Sequence, residues 1–122
     1  MALHLQILIG LVAFLHLYFL WLEMFGWTSR APKVFKGNPQ EYFEKTKALA
    51  ANQGLYNGFL AAGLIWSFFI EDALWQRNIT LFFLGCVAVA GIFGAATAAK
   101  RIFWVQAFPA LAAIVFLLLE SS

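Results

Sequence analysis

The sequence predicts an all-α membrane protein, a membrane-spanning antiparallel four-helix bundle that forms a single domain over residues 1–122. Of its residues, 63% are hydrophobic and 11% are charged, against roughly 45–50% and about 25% in soluble domains. Too few polar side chains are therefore present to cover the surface in water. Four apolar stretches can each cross a hydrocarbon core about 30 Å thick. Because lipid offers no partners for backbone groups, each crossing segment should be a helix.

The predicted spans are residues 3–25, 47–70, 79–99 and 103–119. The first is expected to be retained, because nothing basic precedes it and no small-residue cleavage pattern follows it. The second and third connections are short, so the last three helices should be antiparallel neighbours. The second helix should begin at Pro39, with Asn38 as its cap, and continue without a break to Ile70.

The distribution of basic residues predicts the orientation. Seven of the eight lie around loops 26–46 and 100–102: Arg30, Lys33, Lys36, Lys45, Lys47, Lys100 and Arg101. Basic residues mark cytoplasmic loops, so these two loops should be cytoplasmic and both termini outside. The expected location is the cell inner membrane, as a multi-pass protein. The tryptophans should form the interfacial belts, with Trp21, Trp27 and Trp104 at the inner interface and Trp66 and Trp75 at the outer one.

Composition also excludes several classes of protein. The excess of hydrophobic over charged residues excludes a nucleic-acid module built on a basic patch, so no nucleic-acid partner is expected. Cys86 is the single cysteine, which excludes a disulfide scaffold. The expected partners are the lipid bilayer, a small apolar or amphipathic ligand and, in one alternative, further copies of the chain. No phosphate loop or metal-ligand cluster is present, and haem ligation by His16 lacks a second axial candidate. The cofactor is therefore unknown, and no metal is expected.

Polar residues inside the predicted spans concentrate in their cytoplasmic halves. On the first helix His16 and Glu23 are seven residues apart, which places them on nearly one face and about 10 Å apart along the axis. The other members are Asn52, Gln53, Tyr56 and Asn57 on the second helix and Gln106 on the fourth. Burying polar groups in a membrane is costly, so this grouping predicts a pocket that opens to the cytoplasm. A pore would be expected to show polar groups in both halves of the bilayer.

The expected roles follow from the chemistry of these side chains. His16 and Glu23 are the candidate catalytic residues, because both can exchange protons. Ligand binding is expected from Asn52, Gln53, Tyr56, Asn57 and Gln106. Gly54, Gly58 and Ala62 form a strip of small residues on another side of the second helix, suited to close helix contact.

Three functions remain open at this point. The leading interpretation is a site that binds a small, partly apolar molecule, with chemical conversion of a lipid-like substrate as one version. A homo-oligomeric transporter or channel is the second. The third is a structural partner subunit, in which the histidine and the carboxamides only join helices, as interhelical hydrogen bonds do in membranes. Whether the protein is an enzyme is therefore left open.

Two stretches carry a resemblance to a known family. They are KALAANQGLYNGFLAAGL, from Lys47 to Leu64, and HLYFLWLEM, from His16 to Met24. They resemble a bacterial family of small integral membrane proteins, domain of unknown function 1304. The resemblance implies a four-span protein of about this size and no established activity. Its motif covers His16, Glu23, Asn52, Gln53, Gly54, Tyr56, Asn57 and Gly58.

Overall fold

Every regular element of the chain is helical in the computed structural model, which describes residues 1–121. The elements are α1 (Leu3–Met24), α2 (Ala31–Val34), α3 (Gln40–Lys45), α4 (Lys47–Ser67), α5 (Ala73–Thr97), a π-helical turn (Phe103–Ala107) and α6 (Phe108–Ser121). This confirms the all-α prediction.

Three helical stretches are long and apolar enough to cross a membrane, namely Leu3–Met24, Ala73–Thr97 and Phe103–Glu120. They indicate a membrane protein. α4 is 21 residues long but is not among the three. The physical reason is its polar first half, which carries Lys47, Asn52, Gln53 and Asn57.

The chain divides into two compact units. One contains residues 14–61, and the other combines residues 1–13 with the chain from Ala62 onward. In the second unit α5 packs against α6 and against the π-helical turn. Gly91 makes this packing close, because a β-carbon on it would lie 2.5 Å from the backbone nitrogen of Ala107.

The π-helical turn leads directly into Pro109, the second residue of α6. Proline has no N–H to donate and its ring crowds the carbonyl four residues earlier, here that of Val105. The widened turn closes instead through the N–H of Phe108, which donates to the carbonyl of Phe103. Single π-turns of this kind interrupt helices where regular bonding fails.

Several helix ends meet within this same unit. The backbone N–H of Ala2 donates to Oε1 of Glu120 at 2.7 Å, which places the start of α1 beside the end of α6. The end of α4 and the start of α5 are joined by Gln76, whose Nε2 donates to the carbonyl of Ser67 at 3.0 Å. Gly63 and Phe83 continue the contact between α4 and α5.

In the other unit, the segment that follows α1 folds around an aromatic core. Leu22, Ala31 and Phe43 are buried, and Trp27 and Phe35 pack against them. The rings of Trp27 and Phe43 meet edge to face with their centroids 5.3 Å apart. This cluster packs α2 against α3, and we call it the loop core.

The predicted unbroken helix from Pro39 to Ile70 is wrong. It is interrupted at Thr46, whose Oγ1 donates to the carbonyl of Tyr42 at 2.7 Å and accepts a hydrogen bond from Nε1 of Trp27 at 2.9 Å. The predicted Asn38 cap is also wrong, because Pro39 occupies the cap position of α3 and no side chain caps that helix. The interruption lies where the hydrogen bond from Trp27 ties Thr46 to the loop core.

Candidate functional site

The site is built where α4 approaches α1 most closely. A β-carbon on Gly54 would lie 2.8 Å from Cγ of Met24 and 3.1 Å from the carbonyl oxygen of Leu20. One turn later, a β-carbon on Gly58 would lie 2.5 Å from Cδ1 of Leu20. The predicted small-residue contact is therefore confirmed for these two glycines. The third residue of the predicted strip, Ala62, is exposed.

The close approach brings Glu23 of α1 to Asn57 of α4. Nδ2 of Asn57 donates a hydrogen bond to Oε1 of Glu23 at 2.5 Å. Both side chains are half-buried. A side-chain hydrogen bond between two helices favours the register in which it forms. By depth alone the sequence predicted Glu23 level with Asn52 and Gln53, and Asn57 about two turns deeper, level with His16. The structure instead brings Asn57 into contact with Glu23.

The pair keeps unused hydrogen-bonding capacity. Glu23 has a second carboxylate oxygen, and Asn57 has a second N–H and a carbonyl oxygen. Among residues 1–121 the structure gives none of these groups a partner. One acceptor on α1 and both a donor and an acceptor on α4 are thus available side by side.

His16 lies deeper on the same helix, about 10 Å from Glu23 along the axis. Its side chain is completely buried, and its ring meets that of Phe19 edge to face with centroids 5.2 Å apart. Together with Leu5, Ile9 and Val12 it belongs to the buried stripe of α1. The seven-residue spacing of His16 and Glu23 is therefore reproduced, with the histidine enclosed and the carboxylate partly accessible.

The four polar residues predicted on one side of α4 do not all contact α1. Asn52, Gln53 and Tyr56 are exposed, and only Asn57 joins α1. Measured from Asn52 at about 100° per residue, Tyr56 lies near 40°, whereas Asn57 and Gly54 lie near 140° and 200°. The contact face is centred on the small residues, because only they allow two backbones to come this close. Asn52 and Tyr56 are turned to the opposite side of the helix as a consequence.

Gln106 belongs to the other compact unit, where it lies half-buried in the π-helical turn. In the part of the chain that the structure describes, no three His, Cys, Asp or Glu side chains converge as metal ligands. The side chains at the Glu23 site can form hydrogen bonds, and the carboxyl group of Glu23 can exchange a proton.

Two residues that support this site were not anticipated from the sequence. Trp27 and Thr46 hold the beginning of α4 against the segment that follows α1. A tryptophan just beyond a predicted span is typical of an interfacial belt, and that pattern does not indicate a hydrogen bond to Thr46. The signal that could have found the contact was the apolar content of a loop predicted to be cytoplasmic, which includes Phe35 and Phe43.

Comparison with known proteins gives two matches. Residues 10–118 match a family model described as a protein of unknown function, DUF1304. The chain is also 32% identical over 107 residues to the uncharacterized protein YpaA of Lactococcus lactis subsp. lactis strain IL1403, covering 86% of this chain and 88% of the relative. No solved structure matches the chain.

Proposed function

This chain belongs to the DUF1304 family, whose name carries no activity, and we propose its function from its own residues. It is an integral membrane protein whose Glu23–Asn57 pair binds a small, partly apolar molecule from the cytoplasmic leaflet. The observation that carries this proposal is the hydrogen bond between these two residues with its remaining donor and acceptors unused.

The proposed frame is an antiparallel bundle of four spans, with α4 as the fourth. The helix ends that meet around Glu120, Ser67 and Gln76 support it, since alternating helix directions would gather these ends on one side. Loops 26–46 and 100–102 are cytoplasmic in this frame, because they carry the basic residues. The protein then lies in the inner membrane, with both termini on the outer side.

From the stagger between the two helices we infer that the pair lies at the inner boundary of the hydrocarbon. Met24 ends α1 beside Gly54, and α4 begins seven residues before that glycine, at Lys47. Seven residues of helix extend about 10 Å. The first two turns of α4, with exposed Asn52 and Gln53, therefore stand at the level of the lipid headgroups. Exposed carboxamides at that level remain hydrated, which removes the cost of placing them in lipid.

A ligand that suits this position has an apolar body and a polar end. The polar end would exchange hydrogen bonds with Glu23 and Asn57, while its body lies among the apolar side chains of α1. Gln53 adjoins Asn57 on α4 and can extend the polar contact, whereas Asn52, Tyr56 and Gln106 would act only from outside the pair. In the enzymatic version of the proposal, His16 and Glu23 relay a proton, a role that suits an imidazole near neutral pH.

The test is to identify what the protein carries when it is purified. Wild type, Glu23→Gln and Glu71→Gln are isolated in a mild detergent, and bound small molecules and lipids are extracted and quantified by mass spectrometry. Glu23→Gln keeps the shape and hydrogen bonding of the side chain but removes its charge. Glu71 is exposed, lies outside the proposed spans and is not part of the site, so its variant is a matched control for the loss of a carboxylate. We expect one species near stoichiometry in wild type and Glu71→Gln, and at least tenfold less in Glu23→Gln.

The alternative functions predict different results. An identical set of extracted molecules in all three proteins would contradict the proposal. A second protein chain that co-purifies in fixed ratio would indicate a partner subunit. Ion or solute flux in proteoliposomes that is lost in Glu23→Gln, without any retained molecule, would indicate transport by one or more copies of the chain.

A further inference from the structure

The segment between α1 and α4 carries an excess of exposed positive charge. From Gly26 to Lys47 it contains five basic and two acidic residues. Lys45 forms an ion pair with Glu41, Nζ to Oε1 at 2.9 Å, and is locally neutralised. The other four cations are exposed and have no acidic partner among the residues that the structure describes: Arg30, Lys33, Lys36 and Lys47. We call these four the basic surface.

The basic surface is held on folded backbone. Arg30 and Lys33 are three residues apart at α2, which places them on the same side of that short helix. Buried Ala31 anchors α2 in the loop core. Lys47 follows Thr46, which is bonded to Trp27 only three residues before Arg30. The cations at the two ends of the segment are thus kept on neighbouring parts of one small unit.

The same segment lies close to the end of a membrane-crossing helix. The backbone turns immediately after α1, and the N–H of Arg30 donates to the carbonyl of Gly26 at 2.8 Å. A chain coiled this tightly advances about 1.5–2 Å per residue, so Arg30, six residues beyond Met24, lies within roughly 12 Å of the end of α1. The headgroup region is about 5–7 Å deep on each side of the hydrocarbon. Charges interact over a Debye length of about 8–10 Å in physiological salt.

We propose that the basic surface binds the phosphate groups of anionic phospholipids in the leaflet that surrounds α1. Four unpaired cations, the first of which follows closely after α1, form an electrostatic site for such lipids, and each cation near the membrane surface contributes roughly a fivefold factor in affinity. The inference uses the membrane placement proposed above. It is independent of any ligand at Glu23.

The position of the basic surface along the chain favours a lipid over a soluble polyanion as its ligand. The cations begin six residues after a helix that crosses the membrane, and a surface at that depth meets headgroups before it meets solutes. Exposed aromatic side chains flank the same level, with Trp21 and Phe25 at the end of α1. Tryptophan at a membrane interface is typical of anchoring at the headgroup level.

The experiment measures retained lipid directly. Purified protein in detergent is mixed with equal amounts of phosphatidylglycerol and phosphatidylcholine, and the lipid bound to the intact protein is counted by native mass spectrometry. Wild type should retain phosphatidylglycerol preferentially, and less so as the salt concentration rises. Lys33→Gln should lower that preference about fivefold, and the double variant Lys33→Gln with Lys36→Gln about 30-fold.

Two control variants and one competition experiment complete the test. Arg77→Gln removes one positive charge on α5 that is not part of the basic surface, and should leave the preference unchanged. Lys33→Arg keeps the charge and should bind like wild type. Equal retention of the two lipids by wild type, or an unchanged preference in the double variant, would overturn the proposal. Displacement of phosphatidylglycerol by an equal concentration of a short single-stranded DNA would overturn it in favour of a soluble polyanion.

Discussion

A β-carbon placed on Gly54 would lie 3.0 Å from the β-carbon of Glu23, which is closer than side chains normally pack. The hydrogen bond from Asn57 to Glu23 is made three residues further along the same helix. Gly54 therefore sets the distance at which α4 meets α1, and the polar pair depends on it. This dependence gives the first prediction.

Gly54→Ala should lower the free energy of unfolding by about 1–3 kcal/mol, as overpacking of a close contact does. The new methyl group would meet Met24, Glu23 and the backbone carbonyl of Leu20 together, and the carbonyl cannot move aside. Thermal unfolding in detergent, followed by circular dichroism, measures the change.

Two other glycines serve as graded controls. Gly58→Ala should cost less, because its close neighbour is the flexible end of the Leu20 side chain. Gly10→Ala should be neutral or stabilising by up to about 1 kcal/mol, since alanine favours a helix and nothing lies within 4 Å of its new atom. Equal effects at all three positions would argue against a close contact at Gly54.

Asn57→Leu should cost about 1–3 kcal/mol, because it leaves a half-buried carboxyl group without its donor. When Glu23→Leu is added, the further loss should be smaller than the loss that Glu23→Leu causes alone. Denaturant titrations of the single and double variants give the coupling energy, expected at about 0.5–3 kcal/mol for groups in contact. Thr97→Val combined with Glu23→Leu is the additive reference, since Thr97 bonds within its own helix. Strict additivity for Asn57 and Glu23 would show that the pair is not formed.

Phe43→Ala should open the segment between α1 and α4. Its ring is completely buried in the loop core, and truncating such a residue costs about 3–5 kcal/mol. Because the damage is local, trypsin should cleave after Arg30 or Lys33 while the apolar helices stay intact. Limited proteolysis read by mass spectrometry tests this. Tyr42→Ala, at a neighbouring position that is 42% exposed, should raise the cleavage rate much less than Phe43→Ala.

A cysteine at Asn38 should be protected from an impermeant thiol reagent in intact cells, after Cys86 is replaced by serine. Positions around Asn38 carry the basic residues that mark the cytoplasmic side. A cysteine at Glu71, in the short connection before α5, should react from outside. Labelling at Asn38 but not at Glu71 would reverse the proposed orientation and place the Glu23 site on the opposite face of the membrane.

The sequence by itself determined that the protein is helical and apolar enough for a membrane. It also placed Glu23 and Asn57 in the cytoplasmic halves of their helices. Both conclusions rest on local quantities, since hydropathy summed over a window and a fixed rise per residue do not depend on which helices touch. The small-residue strip through Gly54 and Gly58 could also be identified from the sequence, because four-residue spacing places such residues on one side of a helix.

Only the tertiary structure decided which of the polar residues on α4 meets α1. Asn52, Gln53, Tyr56 and Asn57 share a broad side of the helix by sequence, but the face in contact is the one on which glycines let two backbones approach, and that face includes Asn57 alone. The same holds for Trp27, whose partner Thr46 is 19 residues away. A contact at that separation depends on how the intervening chain turns back and buries Phe43, which no local pattern specifies.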